Sequence, residues 1–296
     1  MKRLLGRSPA VGDGCASRPA SYPFLSGDTF RAMCDVIFDE TTPGPFKAVS
    51  VHPGDVVFCK VDRLVELRDT LVGSRSARDI AKAGATLVVH NGDVLPPPPA
   101  YADLLSVFDH VFSVNATSDL VALGVEALPI GIENAHWRGC GARRFFQTPS
   151  PSIGDARPAS ERPISVLASF RVETNSKVRA PLRALVQGKG NVWVEPSDDL
   201  QYYFSAVRRS RFVLSPPGNG PDCHRTWEAV YLGAIPVVLS GVLADEVFET
   251  LPILVVSDYE SFLAMSPREM DEIARSLLTR SSGSAYFPYW ESRVWG

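Results

Sequence analysis

The sequence has few cysteines, and their spacing indicates neither a disulfide framework nor a zinc site. The five cysteines are an odd number and include no CxxC pair. The five histidines are scattered, and no HExxH or strand-terminal DxD triplet occurs. Disulfide-stapled domains and zinc modules depend on such clusters. We therefore predict no bound metal ion and no resident cofactor.

Long apolar runs and an excess of one charge are also missing. No run approaches the roughly 18 apolar residues that span a bilayer, and the basic start at residues 1–6 is not followed by an apolar segment of signal-peptide length. Lys and Arg total 30 against 33 for Asp and Glu, a net charge of −3, which argues against a dedicated nucleic-acid binder. We expect a cytoplasmic protein, free or peripheral to a membrane, with no nucleic-acid partner and no specified oligomeric state.

The chain is long enough for two domains. It has 296 residues, of which 45% are apolar, and a domain takes about 100–200 residues. Residues 148–163 contain four prolines and almost no apolar side chains, a composition typical of a surface connection. We predict an N-terminal domain over residues 1–150, a Pro/Ser-rich linker over 151–163 and a C-terminal domain over 164–296.

Both halves alternate short apolar runs with helical patterns. Strands are predicted over residues 55–60, 85–90, 111–114, 164–170, 191–194, 211–215, 234–239 and 251–256. Helices are predicted over residues 30–38, 61–71, 76–83, 176–186, 200–210 and 223–232, with an extended proline elbow at 96–99. This alternation indicates the α/β class, with parallel sheets and crossover helices.

Residues 212–239 combine a strand, a loop rich in glycine and proline, a helix and a second strand. The loop residues that we expect to contact a ligand are Ser215, Pro217, Gly218, Asn219 and Gly220. Glycine lets the backbone come close to a ligand, and the loop ends at the positive end of the helix, which favours an anion. We therefore predict that this loop binds an anionic ligand.

Arg225 and Glu228 are three residues apart on that helix and share one face. The planar fork of Arg225 suits phosphate oxygens, and the carboxylate of Glu228 suits the vicinal hydroxyls of a ribose. The alternative is an ordinary Arg–Glu surface pair. The loop before the helix and the apolar strand after it favour the ligand-binding interpretation.

The same stretch resembles the exostosin-like glycosyltransferases, glycosyltransferase family 47. The matching positions are Leu214–Gly218, Arg225, Trp227–Ala229 and Gly233–Leu239. The resemblance implies a GT-B fold, in which two Rossmann-like domains face each other across a cleft. It further implies an inverting mechanism and a nucleotide-sugar donor, with a UDP-sugar favoured. In that case Glu228 contacts the donor ribose and Arg225 the pyrophosphate.

Basic residues after the first strand of the second half are further candidates for donor binding. Arg171 follows this strand, and Lys177 lies shortly after it, so that either can reach the donor phosphates from the opposite side. Solvated charges at a strand end are the alternative. Arg179 and Arg183 are predicted to be exposed helix charges.

An inverting transferase needs a general base for the acceptor hydroxyl, and three residues of the first half are candidates. His90 and Asp93 follow the strand predicted over 85–90, although an Asn-Gly turn with incidental polar residues fits them equally. Asp28 precedes the helix predicted over 30–38, which it would simply cap in the favoured interpretation.

Residues 130–137 are candidates for acceptor binding. Glu133 and Asn134 would bind sugar hydroxyls, and Trp137 would stack on a sugar ring. A structural role at the domain junction is the alternative.

Together these features predict a metal-independent glycosyltransferase that transfers a sugar to a glycan or other hydroxyl acceptor. Two alternatives stay open. One is a fucosyltransferase-like GT-B enzyme that uses a GDP-sugar, and the other is a non-catalytic protein that binds nucleotides or glycans.

Overall fold

The chain forms two units. A computed structural model describes residues 18–93, 98–137, 146, 162–194, 199–241 and 248–296. Within this range the first unit comprises residues 18–137 and 287–296, and the second comprises the described residues from 146 to 286. The predicted linker over 151–163 lies outside the described residues except for its last two positions.

A five-stranded parallel sheet forms the centre of the first unit. Its strands are β1 Val36–Phe38, β2 Val56–Lys60, β3 Thr86–His90, β4 His110–Val114 and β5 Glu126–Leu128. They lie side by side in chain order. All five residues of β3 are buried, as expected for a parallel strand that is covered on both faces.

Six helices accompany this sheet in the described residues. They are α1 Gly27–Met33, α2 Leu64–Leu71, α3 Arg75–Ala83, α4 Pro98–Leu105, α5 Ser118–Ala122 and α11 Phe287–Val294. The prediction of an extended elbow at residues 96–99 is wrong for residues 98 and 99, because Pro98 and Pro99 lie in the first turn of α4. Proline is tolerated there, since the first turn of a helix has no intrahelical partner for its N–H groups.

The prediction of a helix over residues 30–38 is wrong at both ends. The helix begins earlier, at Gly27, and Ser26 caps it by accepting a hydrogen bond from the backbone N–H of Thr29. Residues 36–38 form strand β1, which pairs in parallel with β2. Asp28 is therefore not the cap but lies in the first turn, fully buried.

Residues 287–296 pack on the first unit, although the predicted division placed them in the C-terminal domain. The ring of Phe287 lies edge-on to that of Phe30, with centroids 5.4 Å apart. The backbone N–H of Phe287 donates to the carbonyl of Pro23 over 2.9 Å. The chain therefore returns to the first unit after completing the second.

The second unit also contains a parallel five-stranded sheet. Its strands are β6 Ile164–Ala168, β7 Val192–Val194, β8 Ser210–Leu214, β9 Ile235–Leu239 and β10 Leu254–Val256. They are arranged in the order β10-β9-β8-β6-β7. The chain therefore turns to opposite sides of β6, which makes the boundary between β6 and β8 a topological switch point.

Helices cover both faces of this second sheet. They are α6 Ser176–Val186, α7 Leu200–Arg208, α8 His224–Tyr231, α9 Tyr259–Leu263 and α10 Pro267–Leu277. Val166 packs in a core with α6, α9 and α10, whereas its neighbour Leu167 packs in a second core with α7 and α8. These two sheets confirm the predicted α/β class with parallel strands.

Arg162, which lies within the predicted linker two residues before β6, packs against this sheet. It is 6% exposed, and its guanidinium donates to the backbone carbonyl of Ser210 over 2.9 Å.

None of the helices in the described parts of the chain is both long and apolar enough to cross a bilayer.

Replacing Gly131 with alanine should lower the free energy of unfolding by about 2–4 kcal/mol. Gly131 has a φ of +68°, and a Cβ there would lie 2.1 Å from the carbonyl oxygen of Leu25. Urea denaturation measures the loss. Gly73→Ala is the matched control, since φ is +72° there but no atom lies within 4 Å of the added Cβ. An equal loss in both variants would contradict the proposed backbone clash.

Candidate functional site

The loop that follows β8 lies at the switch point of the second sheet. Residues 215–223 connect β8 to α8, and residues 169–175 connect the neighbouring strand β6 to α6. In open α/β sheets, ligands bind outside the carboxyl ends of the strands at such a point. The predicted donor loop and the predicted basic segment after β6 therefore lie at the same edge of the sheet.

Arg179 fastens this loop to helix α6. Its Nε donates to the carbonyl of Pro217 over 2.9 Å, and one terminal nitrogen donates to Pro216 over 3.0 Å. The other terminal nitrogen donates to the carbonyl of Arg171 over 2.9 Å and to the hydroxyl of Thr174. One side chain therefore fixes both segments at the switch point.

The prediction that Arg179 and Arg183 are exposed helix charges is wrong. Arg179 is 4% exposed. Arg183 is half-buried, donates to the carbonyl of Phe170 over 2.6 Å and covers the Phe170 ring. Both side chains turn toward the strand ends because backbone carbonyls there need donors.

Arg179→Leu should lower the free energy of unfolding by about 3 kcal/mol. The substitution removes the guanidinium donor from the carbonyls of Pro217, Pro216 and Arg171, and only the last two keep another donor, the Cys223 thiol and the Thr174 hydroxyl. A buried group that is left unsatisfied costs about 1–3 kcal/mol. Urea denaturation tests this. Arg268→Leu is the matched control, because the Arg268 side chain is 87% exposed. A loss below about 0.5 kcal/mol for Arg179→Leu, the level of ordinary surface substitutions, would contradict the assigned role.

Arg225 and Tyr259 contribute buried polar atoms with no hydrogen-bond partner among the described residues. These atoms are the Nε of Arg225 and the hydroxyl of Tyr259. Burial raises the pKa of Tyr259, the Cys223 thiol adds to this shift, and the charges of Arg225 and Arg179 oppose it. The four groups are thus close enough to interact electrostatically.

Two guanidinium groups share this part of the site. Burial lowers the pKa of Arg179, and the nearby charge of Arg225 lowers it further. Like charges repel, so a site that brings two of them together is suited to an anion. The unpartnered Nε of Arg225 leaves one directed donor for such a ligand.

Glu228 lies on α8 one turn after Arg225 and is 9% exposed. Its carboxylate accepts a hydrogen bond from the hydroxyl of Tyr203 over 2.9 Å. Burial raises the pKa of Tyr203, and the Glu228 charge raises it further. The neutral hydroxyl of Tyr203 therefore orients the carboxylate.

The start of α8 is held in place by its own polar contacts. The indole N–H of Trp227 donates to the carboxylate of Asp222 over 2.9 Å. The hydroxyls of Ser215 and Thr226 are hydrogen-bonded at 2.8 Å. Gly233 ends the helix in the left-handed conformation, with φ of +71°, as its position predicts.

Residues 177–250 match a glycosyltransferase family model. The model is described as RXYLT1 C-terminal domain and is of the exostosin-like type. The matched segment contains Arg179, Arg225 and Glu228. The match therefore supports a glycosyltransferase, whereas family 47 stays a prediction. No curated protein matches the chain.

Two solved structures match over most of the chain. The GtfA/B complex matches with 12% identity and a TM-score of 0.40, covering 83% of this chain and 58% of its own. The pneumococcal O-GlcNAc transferase GtfA, solved in complex with UDP and GlcNAc, matches with 12% identity and a TM-score of 0.31, covering 83% and 52%. The chain thus spans slightly more than half the length of these structures.

The other residues that were predicted to contact the donor differ in their exposure. Arg171 and Lys177 are exposed, Asn219 is exposed and Gly220 is buried. A Cβ at Gly218 would lie 2.9 Å from a terminal nitrogen of Arg179, so this glycine allows the loop to approach the guanidinium. Ser215 is 3% exposed and serves the loop's internal structure through Thr226.

The first unit brings together polar residues that are far apart in the sequence. Asp28 accepts hydrogen bonds from the guanidinium of Arg18 at 2.8 and 3.0 Å and from the side-chain amide of Asn91 at 3.0 Å. Its second oxygen lies 2.8 Å from Nδ1 of His136. Asn134 accepts from the backbone N–H of Asp28 and donates to Asn91. Residues more than a hundred positions apart thus form one polar cluster.

His90 occupies a structural position rather than that of an accessible base. It is 1% exposed, and its Nδ1 accepts a hydrogen bond from the backbone N–H of Asn91. Its Nε2 lies 3.1 Å from the carbonyl of Pro129. Because a carbonyl only accepts, Nε2 carries the proton, and both ring nitrogens are used within the fold.

The remaining candidates of the first unit differ in exposure. Asp93 is exposed and Glu133 is half-buried, and their predicted roles stay predictions. Asn134 is engaged on both sides of its amide within the Asp28 cluster, and its predicted role in acceptor binding stays a prediction. Trp137 is 59% exposed and packs beside the His136 ring, with centroids 5.3 Å apart.

The roles of two residues, Arg179 and His136, could not be predicted from the sequence. Arg179 gave no signal beyond a helical position, because its partners lie 37 and 38 residues away. His136 stands in a segment that was singled out for acceptor binding, but its pairing with Asp28 spans 108 residues. The only local signal in the sequence is a histidine next to a tryptophan.

Proposed function

We propose that the protein is an inverting glycosyltransferase that moves a sugar from a nucleotide-sugar donor to a hydroxyl acceptor. The paired guanidinium groups of Arg179 and Arg225 at the switch point carry this proposal. They lie where an open α/β sheet binds ligands, and the unpartnered Nε of Arg225 fits a phosphate oxygen. The family-model match over residues 177–250 supports the same activity.

In this proposal, the donor's diphosphate is the leaving group. Negative charge builds on it as the bond to the anomeric carbon breaks, and directed donors that are already in place stabilise that charge without reorganisation. Arg225 supplies such a donor, and Arg179 adds positive charge while it holds the loop. Protein groups alone can fill this role, so the proposed mechanism needs no metal ion.

Glu228 is proposed to accept hydrogen bonds from the ribose hydroxyls of the donor. Tyr203 orients its carboxylate, and the position one turn beyond Arg225 suits a nucleotide whose pyrophosphate reaches the helix start. A UDP-sugar is the favoured donor. In this proposal the second unit binds the donor.

Calorimetry with UDP, GDP, CDP and their common sugars tests the proposal. We expect one nucleotide to bind the intact protein, with UDP the tightest, and Arg225→Ala to weaken that binding. Arg268→Ala should leave it unchanged. Tightest binding of GDP would favour a fucosyltransferase-like enzyme instead, and binding without any transfer would favour a non-catalytic binding protein. Failure of every nucleotide to bind at millimolar concentration would refute the proposal.

A further inference from the structure

We infer that the hydroxyl of Tyr259 donates a hydrogen bond to the diphosphate of the ligand, alongside the Nε of Arg225. This inference rests on the proposed function, whose donor site it completes within the second unit. Tyr259 lies outside the segment that the family model matches, residues 177–250. The hydroxyl keeps its proton, so the contact is a binding interaction in which no bond is made or broken.

Tyr259 lies at the same edge of the second sheet as the loop after β8. It is the first residue of α9 and follows the end of β10 by three positions. The strands β10, β9 and β8 are parallel neighbours, so their carboxyl ends meet at one edge. Two strand spacings, about 10 Å, separate β10 from β8. A tyrosine side chain is long enough to extend over most of that distance.

The fold uses the ring of Tyr259 but not its hydroxyl. The residue is 6% exposed and belongs to the apolar core that α6, α9 and α10 form with the sheet. Its buried hydroxyl has no hydrogen-bond partner among the described residues. That hydroxyl interacts electrostatically with the Cys223 thiol and with the guanidinium groups of Arg225 and Arg179. Since buried polar groups are costly without a partner, this donor is suited to a ligand.

The positive charge at this place is suited to a ligand with at least two negative charges. Arg179 donates to backbone carbonyls and to the Thr174 hydroxyl. Within the parts of the chain that the structure describes, neither Arg179 nor Arg225 forms an ion pair with a carboxylate. A diphosphate matches these two charges. The charges attract it, whereas the Nε of Arg225 and the hydroxyl of Tyr259 can direct two of its oxygens.

The hydroxyl of Tyr259 is a neutral donor. Burial raises the pKa of Tyr259, the Cys223 thiol raises it further, and the charges of Arg225 and Arg179 oppose the shift without cancelling it. A protonated phenol donates one hydrogen bond, which a phosphate oxygen can accept. Tyr259 therefore adds a directed donor without adding a third charge to two guanidinium groups that already repel each other.

Tyr259→Phe in the intact protein tests the inference, with inorganic pyrophosphate as the ligand. The substitution removes one oxygen atom and keeps the ring that packs in the core. The dissociation constant of pyrophosphate, measured by calorimetry, should rise about 10–100-fold, as expected for a lost hydrogen bond to a charged group. The dissociation constant of UDP should rise by the same factor, because the two ligands share the phosphates.

Tyr101→Phe is the matched control. Tyr101 is fully buried in the first unit, and its hydroxyl lies 2.7 Å from that of Ser113. This variant should bind pyrophosphate as the wild type does, but its Tm should fall by about 2–4 °C because a buried hydrogen bond is lost. The Tm of unliganded Tyr259→Phe should equal or exceed that of the wild type, since its hydroxyl has no partner to lose within the described residues.

The outcomes separate the inference from the function on which it rests. Wild-type pyrophosphate affinity in folded Tyr259→Phe would overturn the inference and leave the proposed function intact. A Tm that falls as far as that of Tyr101→Phe would indicate a structural hydroxyl and would equally overturn it. If Tyr259→Phe weakens pyrophosphate but the wild type transfers no sugar, the diphosphate contact stands and the transferase activity falls. A wild-type protein that binds neither pyrophosphate nor any nucleotide would remove both.

Discussion

Replacing Arg225 with lysine is expected to lower kcat for sugar transfer by about 10²-fold, and replacement with alanine by about 10²–10³-fold. The loss should be greater in kcat than in donor binding, because the charge on the diphosphate develops in the transition state. Lysine keeps the positive charge, but its ammonium cannot reproduce a planar fork with two directed donors. Steady-state kinetics with saturating donor measure the change.

A second ligand, inorganic pyrophosphate, isolates the contact between Arg225 and the phosphate groups. Inorganic pyrophosphate has no ribose, so its affinity should fall in Arg225→Ala together with that of the whole nucleotide. Arg268→Lys should leave both turnover and pyrophosphate affinity unchanged, because Arg268 is 87% exposed on α10. Unchanged turnover in Arg225→Lys would mean that the guanidinium has no part in stabilising the leaving group.

The second large effect is expected at Glu228. Glu228→Ala should weaken nucleotide binding by about 1.5–3 kcal/mol, the scale of a hydrogen bond to a charged group. This corresponds to a rise of roughly 10–100-fold in the dissociation constant. Glu228→Gln should lose less, since the amide keeps one acceptor oxygen. Calorimetric titration measures the change.

Pyrophosphate affinity again distinguishes a contact with the ribose from a contact with the phosphates. If Glu228 binds the ribose, its removal should weaken the nucleotide and leave pyrophosphate affinity unchanged, opposite to the pattern at Arg225. Tyr203→Phe is the matched control, since it removes the 2.9 Å hydrogen bond to the carboxylate but keeps the carboxylate itself. An Ala variant that folds normally and binds the nucleotide as tightly as the wild type would refute the ribose assignment.

The sequence predicts well those helices and strands whose formation depends on residues that are close together along the chain. Residues 212–239 alternate strand, loop, helix and strand in a pattern whose periodicity and glycine positions are local. The structure places β8, α8 and β9 within one or two residues of the predicted bounds. Asp199 caps α7 by accepting hydrogen bonds from the backbone N–H groups of Gln201 and Tyr202.

The helix predicted over residues 30–38 failed because local patterns conflict there. Its apolar residues fit a helical face, yet Val36 and Ile37 are β-branched and pair with β2. Strand pairing between distant segments overrides a weak helical preference. Short edge strands such as β1 and β5 carry too few residues for a clear alternating pattern.

The polar clusters were beyond sequence reasoning for a different reason. Periodicity shows that Arg179 lies on a helix, but it does not show which backbone carbonyls lie opposite. Asp28 could be recognised as a candidate base, whereas its pairing with His136 could not, because residues 28 and 136 are 108 positions apart and meet only in the folded unit. Long-range pairs of this kind follow from topology rather than from spacing.

The return of residues 287–296 to the first unit has a consequence for the order of synthesis. A ribosome makes the whole second unit before it makes Phe287, whose ring covers Phe30 and whose N–H binds the carbonyl of Pro23. During that interval the nascent first unit exposes the apolar surface that α11 later covers. The final stability of the first unit is therefore gained only after the second unit has left the exit tunnel.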